Sequence, residues 1–207
     1  MKKNILFALL WAVPVFVSAQ NSSMSFGVKG GYSLSSMKFF NTQLDPKSYF
    51  YAGILAEQPL SSTFGLQAEV LYTQLGGRET YSGAQLVGNE IVSVNDMEFD
   101  YKLNQIQVPI SVKYYFIPNF SASAGMNLGF NISSKIKTNT LFGEVSSNNS
   151  DGIKTLNVFP FLGAEYKINQ NFFVDARYHF NFFEINKDNA VPTKIGFLHA
   201  GVGYRFK

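Results

Sequence analysis

The 207-residue sequence contains no cysteine and only one tryptophan, Trp11. Without cysteine the chain can form no disulfide bond and offers no cysteine for a lipid anchor, so packing and backbone hydrogen bonds must stabilise it. Charge is also scarce, because charged residues make up 15% of the sequence and the formal net charge is +3. So weak a positive charge disfavours a nucleic-acid partner.

Long apolar runs are scarce as well, and the longest lies at the amino terminus. Lys2 and Lys3 precede an apolar stretch from Ile5 to Val17, which ends in the small residues Ser18 and Ala19. This order is typical of a cleaved signal peptide, so we predict a signal peptide over residues 1–19 and one nearly neutral domain over residues 20–207. Elsewhere no apolar run approaches the roughly 18 residues of a transmembrane helix, which excludes helical spans but not the weaker pattern of barrel strands.

Alternation of apolar and polar residues is the strongest pattern that the sequence does contain. Between Leu103 and Asn131 two alternating runs follow one another, separated only by Ile117, Pro118 and Asn119. In each run one face is apolar with aromatic residues at its ends, and the other face is small or polar. This pattern predicts an antiparallel β-hairpin.

The same alternation recurs along the chain and predicts eight strands. Their predicted positions are Phe26–Leu34, Tyr49–Gln58, Phe64–Thr73, Gln105–Phe116, Phe120–Asn131, Val158–Lys167, Phe172–Phe180 and Leu198–Phe206. The connections between them alternate between long and short, as in an up-and-down barrel of a bacterial outer membrane. The short ones, predicted to be periplasmic turns, are Pro59–Thr63, Ile117–Asn119 and Ile168–Asn171. The long ones, predicted to be extracellular loops, are Ser35–Ser48, Gly76–Lys102, Ser133–Thr155 and Asn181–Thr193.

A soluble barrel would show the same alternation with its apolar face turned inward. Two features favour a membrane barrel instead. The less apolar face carries glycine, serine, asparagine and charges, and so suits the crowded interior of an eight-stranded barrel. The apolar face ends in two aromatic girdles, which are typical of lipid-water interfaces. We therefore predict an all-β fold, an eight-stranded antiparallel transmembrane β-barrel in the outer membrane.

The inward face of this barrel would collect most of the charged residues of the strands. They are Lys29, Glu57, Glu69, Lys113, Glu165, Lys167, Asp175, Arg177, His179, His199 and Arg205. Unpaired charges in a narrow lumen are costly, so we predict a structural network of ion pairs and hydrogen bonds. Such a network would fill the lumen and leave no conducting channel.

Histidine is rare, and His179 and His199 are the only candidates for a general base or metal ligand. His179 follows Asp175 and Arg177 on one strand face, an order that suggests a proton relay in a lipid-modifying enzyme. The same alternation, however, points both histidines into the lumen and away from lipid. We therefore predict no enzyme, no catalytic residue, no cofactor and no metal site, and the acidic residues of the loops match no calcium-binding loop.

Several motifs resemble those of a known family. They are GVKGGYSLS (27–35), AGILAE (52–57), LQAEVLYTQLGG (66–77), IQVPISVKYYF (106–116), DARYHF (175–180) and GVGYRF (201–206). In order and spacing they resemble the PorT-like outer-membrane β-barrel family of Bacteroidetes. This resemblance implies an eight-stranded outer-membrane barrel without established catalytic residues, and the founding member is tied to a secretion pathway. One departure is Lys207, because such barrels usually end in an aromatic residue and Phe206 is penultimate here.

Four functions remain open at this stage. The first is a non-enzymatic barrel with a closed lumen, whose external loops contact surface partners or neighbouring envelope proteins. The second is an accessory part of a protein-secretion system, the third is a lipid-modifying enzyme, and the fourth is a small pore. In each case we expect a monomeric barrel in contact with outer-membrane lipid.

Overall fold

The computed structural model of the protein describes residues 24–40, 42–87, 89–140, 143–148, 152–187 and 192–206. The predicted signal peptide, residues 1–19, lies outside these ranges. The described residues form ten β-strands, numbered in chain order. They are β1 (Ser25–Phe39), β2 (Thr42–Gln43), β3 (Asp45–Pro59), β4 (Phe64–Val87), β5 (Glu90–Ile117), β6 (Phe120–Thr140), β7 (Gly143–Asn148), β8 (Leu156–Lys167), β9 (Phe172–His179) and β10 (Thr193–Arg205).

Eight of these strands form a closed antiparallel ring. Its order is β1, β3, β4, β5, β6, β8, β9 and β10. β10 then pairs with β1 along a register that runs from Gly27 and Arg205 to Phe39 and Thr193, and this pairing closes the ring. The short strands β2 and β7 are added to β1 and β6. The predicted eight-stranded antiparallel barrel is therefore confirmed. Among the described residues no helix is long and apolar enough to cross a membrane.

The two ends of the barrel differ in the length of their connections. At one end, which we call the turn end, the strands are joined by the three short turns that the sequence predicts. Two of these turns are closed by backbone hydrogen bonds, from Leu60 N to Phe64 O and from Ile168 N to Phe172 O, each of 2.9 Å. The long connections lie at the opposite end, which we call the hairpin end.

The strands at the hairpin end are longer than predicted. Gly76–Lys102 was expected to be a loop, but β4 and β5 stay paired through this segment as far as Val87 and Glu90. Likewise β6 continues to Thr140 and pairs with β7 inside the expected loop Ser133–Thr155. These two expectations are wrong because strand alternation marks only strands with one buried face. Backbone pairing in an extension that leaves the barrel needs no such pattern.

The outward face of the ring is apolar, as the alternation predicts. Exposed aliphatic residues in its middle include Ile54, Val70, Leu162 and Val202, which are 46–60% exposed. Exposed aromatic residues lie at both margins. Those near the turn end are Phe26, Phe64, Tyr114, Phe116, Phe120, Tyr166, Phe172 and Phe206, and those near the hairpin end are Tyr32, Phe50, Tyr72 and Tyr178. This apolar belt with two aromatic girdles matches the lipid-facing wall of an outer-membrane barrel.

The inward face is larger and more apolar than the sequence suggests. Phe159, Phe161, Phe173 and Phe197 all point inward and are at most 2% exposed. The interior is therefore not confined to the glycine, serine, asparagine and charged residues that distinguish the less apolar face in the sequence. A closed barrel leaves a lumen that must be packed, and where charged side chains do not reach, large apolar ones occupy the space.

Candidate functional site: a cup above a filled lumen

The part of the lumen nearest the turn end holds four buried charges, Glu57, Lys113, Glu165 and Arg205, which we call the turn-end quartet. Lys113 Nζ lies 2.8 Å from Glu57 Oε2 and 2.9 Å from Glu165 Oε2. Arg205 Nη2 lies 2.7 Å from Glu57 Oε2 and 2.8 Å from Glu165 Oε2. Each cation therefore contacts both carboxylates, and the quartet carries no net charge.

A second group, Lys29, Glu69, Asp175 and Arg177, lies above it and repeats the arrangement. We call it the middle quartet. Lys29 Nζ lies 2.6 Å from Asp175 Oδ2 and 3.6 Å from Glu69 Oε2. Arg177 contacts the same two carboxylates, with its Nε 3.1 Å from Asp175 Oδ2. This quartet is also neutral, so each buried charge has its compensating partners within the lumen.

Gln67 connects the two quartets. Its Oε1 accepts a hydrogen bond of 3.1 Å from Lys113 Nζ, and its Nε2 donates to Glu69 Oε1. Eight charged side chains therefore form one continuous polar network. Lys167, the remaining predicted member, lies at the turn end, where its Nζ is 5.1 Å from the centre of the Tyr115 ring. Tyr115 in turn donates a hydrogen bond of 2.6 Å to Glu57 Oε1.

Glycines lie opposite the four long cations on neighbouring strands. The facing pairs are Lys29 with Gly53 and Gly203, Lys113 with Gly65, Arg177 with Gly163, and Arg205 with Gly27. A Cβ atom on Gly163 would lie 2.7 Å from Arg177 Cγ, which is too close for ordinary packing. Gly163 thus supplies space for Arg177, whereas a Cβ atom on Gly65 would meet the Tyr115 ring and one on Gly203 would meet the Phe173 ring.

The two histidines lie above the middle quartet among aromatic rings. His179 is 0% exposed, and its ring centre is 4.1 Å from that of Phe197. Its Nδ1 accepts a hydrogen bond of 3.4 Å from Asn127 Nδ2. His199 stacks on Tyr51 with ring centres 4.4 Å apart. Since Asp175 binds Lys29 and Arg177, it forms no relay with His179, and both histidines are shut off from the lipid face.

An apolar plug closes the lumen above the histidines. Its buried members are Met37, Leu44, Leu75, Leu103, Phe159, Ile185, Ile195 and Phe197, each at most 3% exposed. Phe159 and Phe197 pack edge to face with ring centres 5.2 Å apart. Together, the two quartets, the histidine layer and the plug fill the barrel from the turn end towards the hairpin end.

An open cavity of about 540 Å³ lies on the plug at the hairpin end. We call it the cup. Aromatic residues from several strands line it, and the Phe39 and Tyr101 rings meet edge to face with centres 4.9 Å apart. Phe40 stands on its wall with a φ of 47°, a left-handed conformation that is rare for a bulky residue. Backbone strain of this kind is often found at binding sites.

Two polar residues of the cup wall interact with each other, and this interaction fixes the protonation state of one of them. Glu79 and Tyr81 both line the cavity. The hydrogen bond with Glu79, together with slight burial, raises the pKa of Tyr81 to about 12. Tyr81 is therefore a neutral phenol at physiological pH. The cup thus offers an apolar, aromatic surface with a carboxylate and a phenol at one side, a composition that suits a ligand with both apolar and polar parts.

An ionic cluster lies on the outer surface of the wall near the cup and joins β3, β4 and β5. Lys47 Nζ lies 2.6 Å from Asp100 Oδ2, and Arg78 Nε lies 3.2 Å from Asp100 Oδ1 and 2.8 Å from Glu98 Oε1. Partial burial alone would raise the pKa of Asp100, but the hydrogen bonds and charges of Lys47 and Arg78 outweigh it and lower that pKa below 3.8. Asp100 is thus ionised at neutral pH and ties β3 to the extended β4–β5 hairpin.

The inward positions of the predicted network residues follow from alternation, but several contributors were not predicted. Gln67 and Tyr115 share the inward parity of Glu69 and Lys113, and that parity was the available signal. The plug was missed because Met37, Leu44 and Ile185 fall in segments expected to be loops, and Leu75 and Leu103 lie between the predicted strands and the expected loop Gly76–Lys102. Only the three-dimensional structure brings these segments together over the lumen.

Comparison with known proteins gives a family and a shared fold. The model of the family described as outer membrane protein beta-barrel domain matches residues 18–186. No curated protein matches the chain. One similar solved structure is Ail, the attachment invasion locus protein of Yersinia pestis, in complex with the heparin analogue sucrose octasulfate. It gives a TM-score of 0.54 at 19% sequence identity, and the match covers 89% of this chain and 99% of Ail. Neisserial surface protein A gives a TM-score of 0.53 at 17% identity, covering 89% of this chain and 99% of its own. At these identities the likeness concerns the fold alone.

Proposed function

Because this chain belongs to the outer membrane protein beta-barrel domain family, we propose that it is a closed, non-enzymatic barrel that recognises a partner at the cell surface through its hairpin end. The observation that carries this proposal is the cup, a cavity of about 540 Å³ that lies on a packed lumen and is walled by strands that extend beyond the barrel. A rigid barrel that presents variable segments at one end is a common basis for recognition.

The orientation in the membrane is part of the proposal. We take residues 1–19 to be a signal peptide that exports the barrel of residues 20–207. Outer-membrane barrels carry short turns on the periplasmic side and long connections outside the cell. The turn end then faces the periplasm, and the hairpin end faces the medium. A single closed ring leaves no unpaired barrel edge, which supports a monomer.

The packed lumen supports a structural rather than a conducting barrel. A small solute would have to displace the plug, the histidine layer and both quartets in turn. We therefore expect no defined single-channel conductance from the purified protein in planar lipid bilayers. Reproducible unitary steps in the native barrel would contradict a closed lumen.

The absence of cysteine allows a direct test of orientation and of the exposed recognition end. Tyr81→Cys places a thiol at the cup, and Ser62→Cys places one at the turn end. In intact cells a membrane-impermeant maleimide should label Tyr81→Cys only, and should reach Ser62→Cys after the outer membrane is permeabilised. The reverse labelling would contradict the proposed orientation.

The partner itself can be sought from the same position. A photo-crosslinking amino acid at Tyr81 should capture an extracellular or surface-exposed partner, whereas the same amino acid at Tyr114 on the lipid-facing wall serves as the matched control. Crosslinks that form at Tyr114 and never at Tyr81 would contradict recognition through the hairpin end.

A second candidate function is an accessory role in protein secretion, as the resemblance to PorT-like proteins implies. A cavity of about 490 Å³ at the turn end favours it, because Glu57, Tyr115 and Lys167 line this cavity beside the Pro118 turn. In the proposed orientation this cavity faces the periplasm, where a secretion component could bind. A deletion strain that still exports its surface proteins normally would remove this candidate.

A lipid-modifying activity has no support in the arrangement of the histidines. His179 and His199 are at most 1% exposed and face the lumen. We expect His179→Ala and His199→Ala strains to show unchanged lipid A and phospholipid profiles. A changed profile in either strain would contradict a non-enzymatic barrel.

A further inference from the structure

The charged residues of the cup wall are few and lie at different levels. Among the residues that the structure describes, Glu79 and Lys102 are the charged ones that line the cavity. Glu79 of β4 pairs with Phe99 of β5, whereas Lys102 pairs with Gly76, three residue pairs nearer the plug. Three strand residues span roughly 10 Å. The upper part of the cup therefore has a carboxylate as its charged group.

Two tyrosines lie close to this carboxylate. Tyr81 forms a hydrogen bond with Glu79. Burial and, to a smaller extent, the negative charge of Glu79 raise the pKa of Tyr101, so this phenol is also neutral. The ion pairs that the structure describes at the hairpin end belong to the ionic cluster on the outer surface, and Glu79 takes part in none of them. The negative charge of Glu79 is thus available to a ligand in the cup.

Aromatic rings form a corner beside Glu79. The planes of the Phe39 and Tyr101 rings meet at 76°, and both rings pack against the plug, which holds them in place. A compact group seated in this corner contacts a face of each ring. Phe40 and Tyr81, which are 58% and 50% exposed, extend the aromatic surface. Ring faces carry a negative potential, so an aromatic corner next to a carboxylate attracts a cation.

The chemistry of the corner distinguishes between kinds of cation. A primary ammonium has three N–H donors, which need acceptors once the group leaves water, and a divalent metal ion needs several oxygen ligands. The groups placed here are instead ring faces and one carboxylate that already accepts a hydrogen bond from Tyr81. A quaternary alkylammonium has no N–H donor, and its methyl groups can contact the rings directly. The corner therefore suits a quaternary ammonium group best.

We propose that the cup binds the trimethylammonium group of a choline-type ligand, with the cation held between Glu79 and the faces of Phe39 and Tyr101. This inference rests on the proposed function, because it names the chemistry by which the cup recognises its partner. Binding of a small cation can nevertheless be measured with the purified barrel, and so does not depend on how the barrel is oriented in the membrane.

The test uses the full mature chain folded in a maltoside detergent, which contains no ammonium group, with choline as the probe. Isothermal titration calorimetry compares choline with its neutral analogue, in which a carbon atom replaces the nitrogen. Choline should bind about tenfold more tightly, because only the cation interacts with the ring faces and the carboxylate. Equal affinity for the two compounds would overturn the proposal.

Two matched variants test the charge. Glu79→Gln should weaken choline binding about fivefold and leave binding of the neutral analogue unchanged. Lys102→Gln removes a charge of opposite sign from the same cavity and should not weaken choline binding. Unchanged binding by Glu79→Gln, or equal weakening by both variants, would show that the carboxylate does not hold the cation.

The ring faces are tested at Tyr101. Tyr101→Leu should weaken choline binding about tenfold, whereas Tyr101→Phe keeps the ring face and should bind as the wild type does. Tyr114→Leu on the lipid-facing wall is the control for loss of an aromatic ring, and heat-modifiable gel mobility checks the folding of each variant. If Tyr101→Leu does not fold, Phe40→Leu tests the same aromatic surface at an exposed ring. A folded ring variant of the cup with wild-type affinity would contradict the proposal.

A last comparison identifies the source of the group. Glycerophosphocholine that binds as tightly as choline indicates a lipid headgroup, tighter binding of choline indicates the free cation, and binding of neither overturns the inference. The inference and the proposed function fail separately. A partner crosslinked at Tyr81 by a barrel that does not bind choline would leave surface recognition standing and remove the trimethylammonium site, whereas choline binding without any crosslinked partner would do the reverse.

Discussion

The inward and outward faces of the barrel wall are built from alternate residues of the same strands, yet they obey different rules. Phe161 and Leu162 are neighbours in β8, but Phe161 is 2% exposed and Leu162 is 56% exposed. Inward side chains meet other side chains from across the lumen, so their size, charge and opposite neighbour are all constrained. Outward side chains need only be compatible with lipid. The same substitution should therefore cost far more on one face than on the other.

The largest difference is expected for a buried cation. Arg205→Met leaves Glu57 and Glu165 to share Lys113 alone within the lumen. Removing one partner of a buried ionic group typically costs about 3–5 kcal/mol. The free energy of unfolding, measured by urea titration of the folded barrel in detergent with heat-modifiable gel mobility as the signal, should fall by this amount.

The outward counterpart of this change is Arg78→Met. Arg78 also contacts two carboxylates, Glu98 and Asp100, but its side chain is 42% exposed. Exposed ion pairs contribute at most about 1 kcal/mol. Equal losses for Arg205→Met and Arg78→Met would show that the lumen charges are hydrated as freely as those of the surface.

The next largest effect concerns the apolar plug. Leu75 is 0% exposed and belongs to the cluster beneath the cup. Leu75→Ala should lower the free energy of unfolding by about 2–5 kcal/mol, because it removes buried methyl groups and leaves a cavity. Leu103→Met keeps the volume and should cost less than about 1.5 kcal/mol. A plug that tolerates Leu75→Ala without loss would not be a packed core.

A smaller contrast separates Gly163 from its neighbour Ala164. On the inward face a Cβ at residue 163 would lie 2.7 Å from Arg177 Cγ and 2.9 Å from Ser123 Oγ. Gly163→Val should therefore cost about 1–3 kcal/mol through overpacking. Ala164 is exposed on the outward face, so Ala164→Val should be nearly neutral. Urea titration of both variants measures the contrast, and a larger cost at residue 164 would reverse the assignment of the two faces.

The smallest effect is a pH dependence at the outer ionic cluster. The pKa of Asp100 is lower in the folded protein than its ordinary value of 3.8. Its contribution to stability is therefore present above that ordinary value and lost as the pH falls through the lower folded pKa. At neutral pH, Asp100→Asn should lower the free energy of unfolding by less than about 1 kcal/mol. This difference from wild type should disappear in acid, and a difference that grows in acid would contradict the assignment.

The sequence predicts the barrel well because alternation reports a property that every wall residue shares. A strand with lipid on one side and a packed lumen on the other must alternate, so Lys29, Glu57, Glu69 and Arg177 could be assigned inward without coordinates. The pairing of these charges into two neutral quartets could not be predicted. It depends on the stagger of strands that are far apart in sequence, such as β3 and β10.

The hairpin end was harder to predict, for a physical reason. Beyond the lipid belt no solvent boundary imposes a period on the residues of β4 and β5, so Gly76–Lys102 gave no strand signal. The plug and the cup both depend on segments of this kind. Leu44 and Ile185 cover the lumen only because the chain returns over it, and their local sequence contains no pattern that reports this.

The most direct test of the two-faced wall uses tryptophan, which the predicted mature chain lacks because Trp11 is the only one in the sequence. Leu162→Trp and Phe161→Trp place a single fluorophore on opposite faces of β8. In bilayers that contain lipids with brominated acyl chains, we predict strong quenching of the Leu162→Trp emission and little quenching of the Phe161→Trp emission, with folding of both checked by heat-modifiable gel mobility. Strong quenching of Phe161→Trp and none of Leu162→Trp would show that the face assigned to the lumen contacts lipid, and would contradict the account.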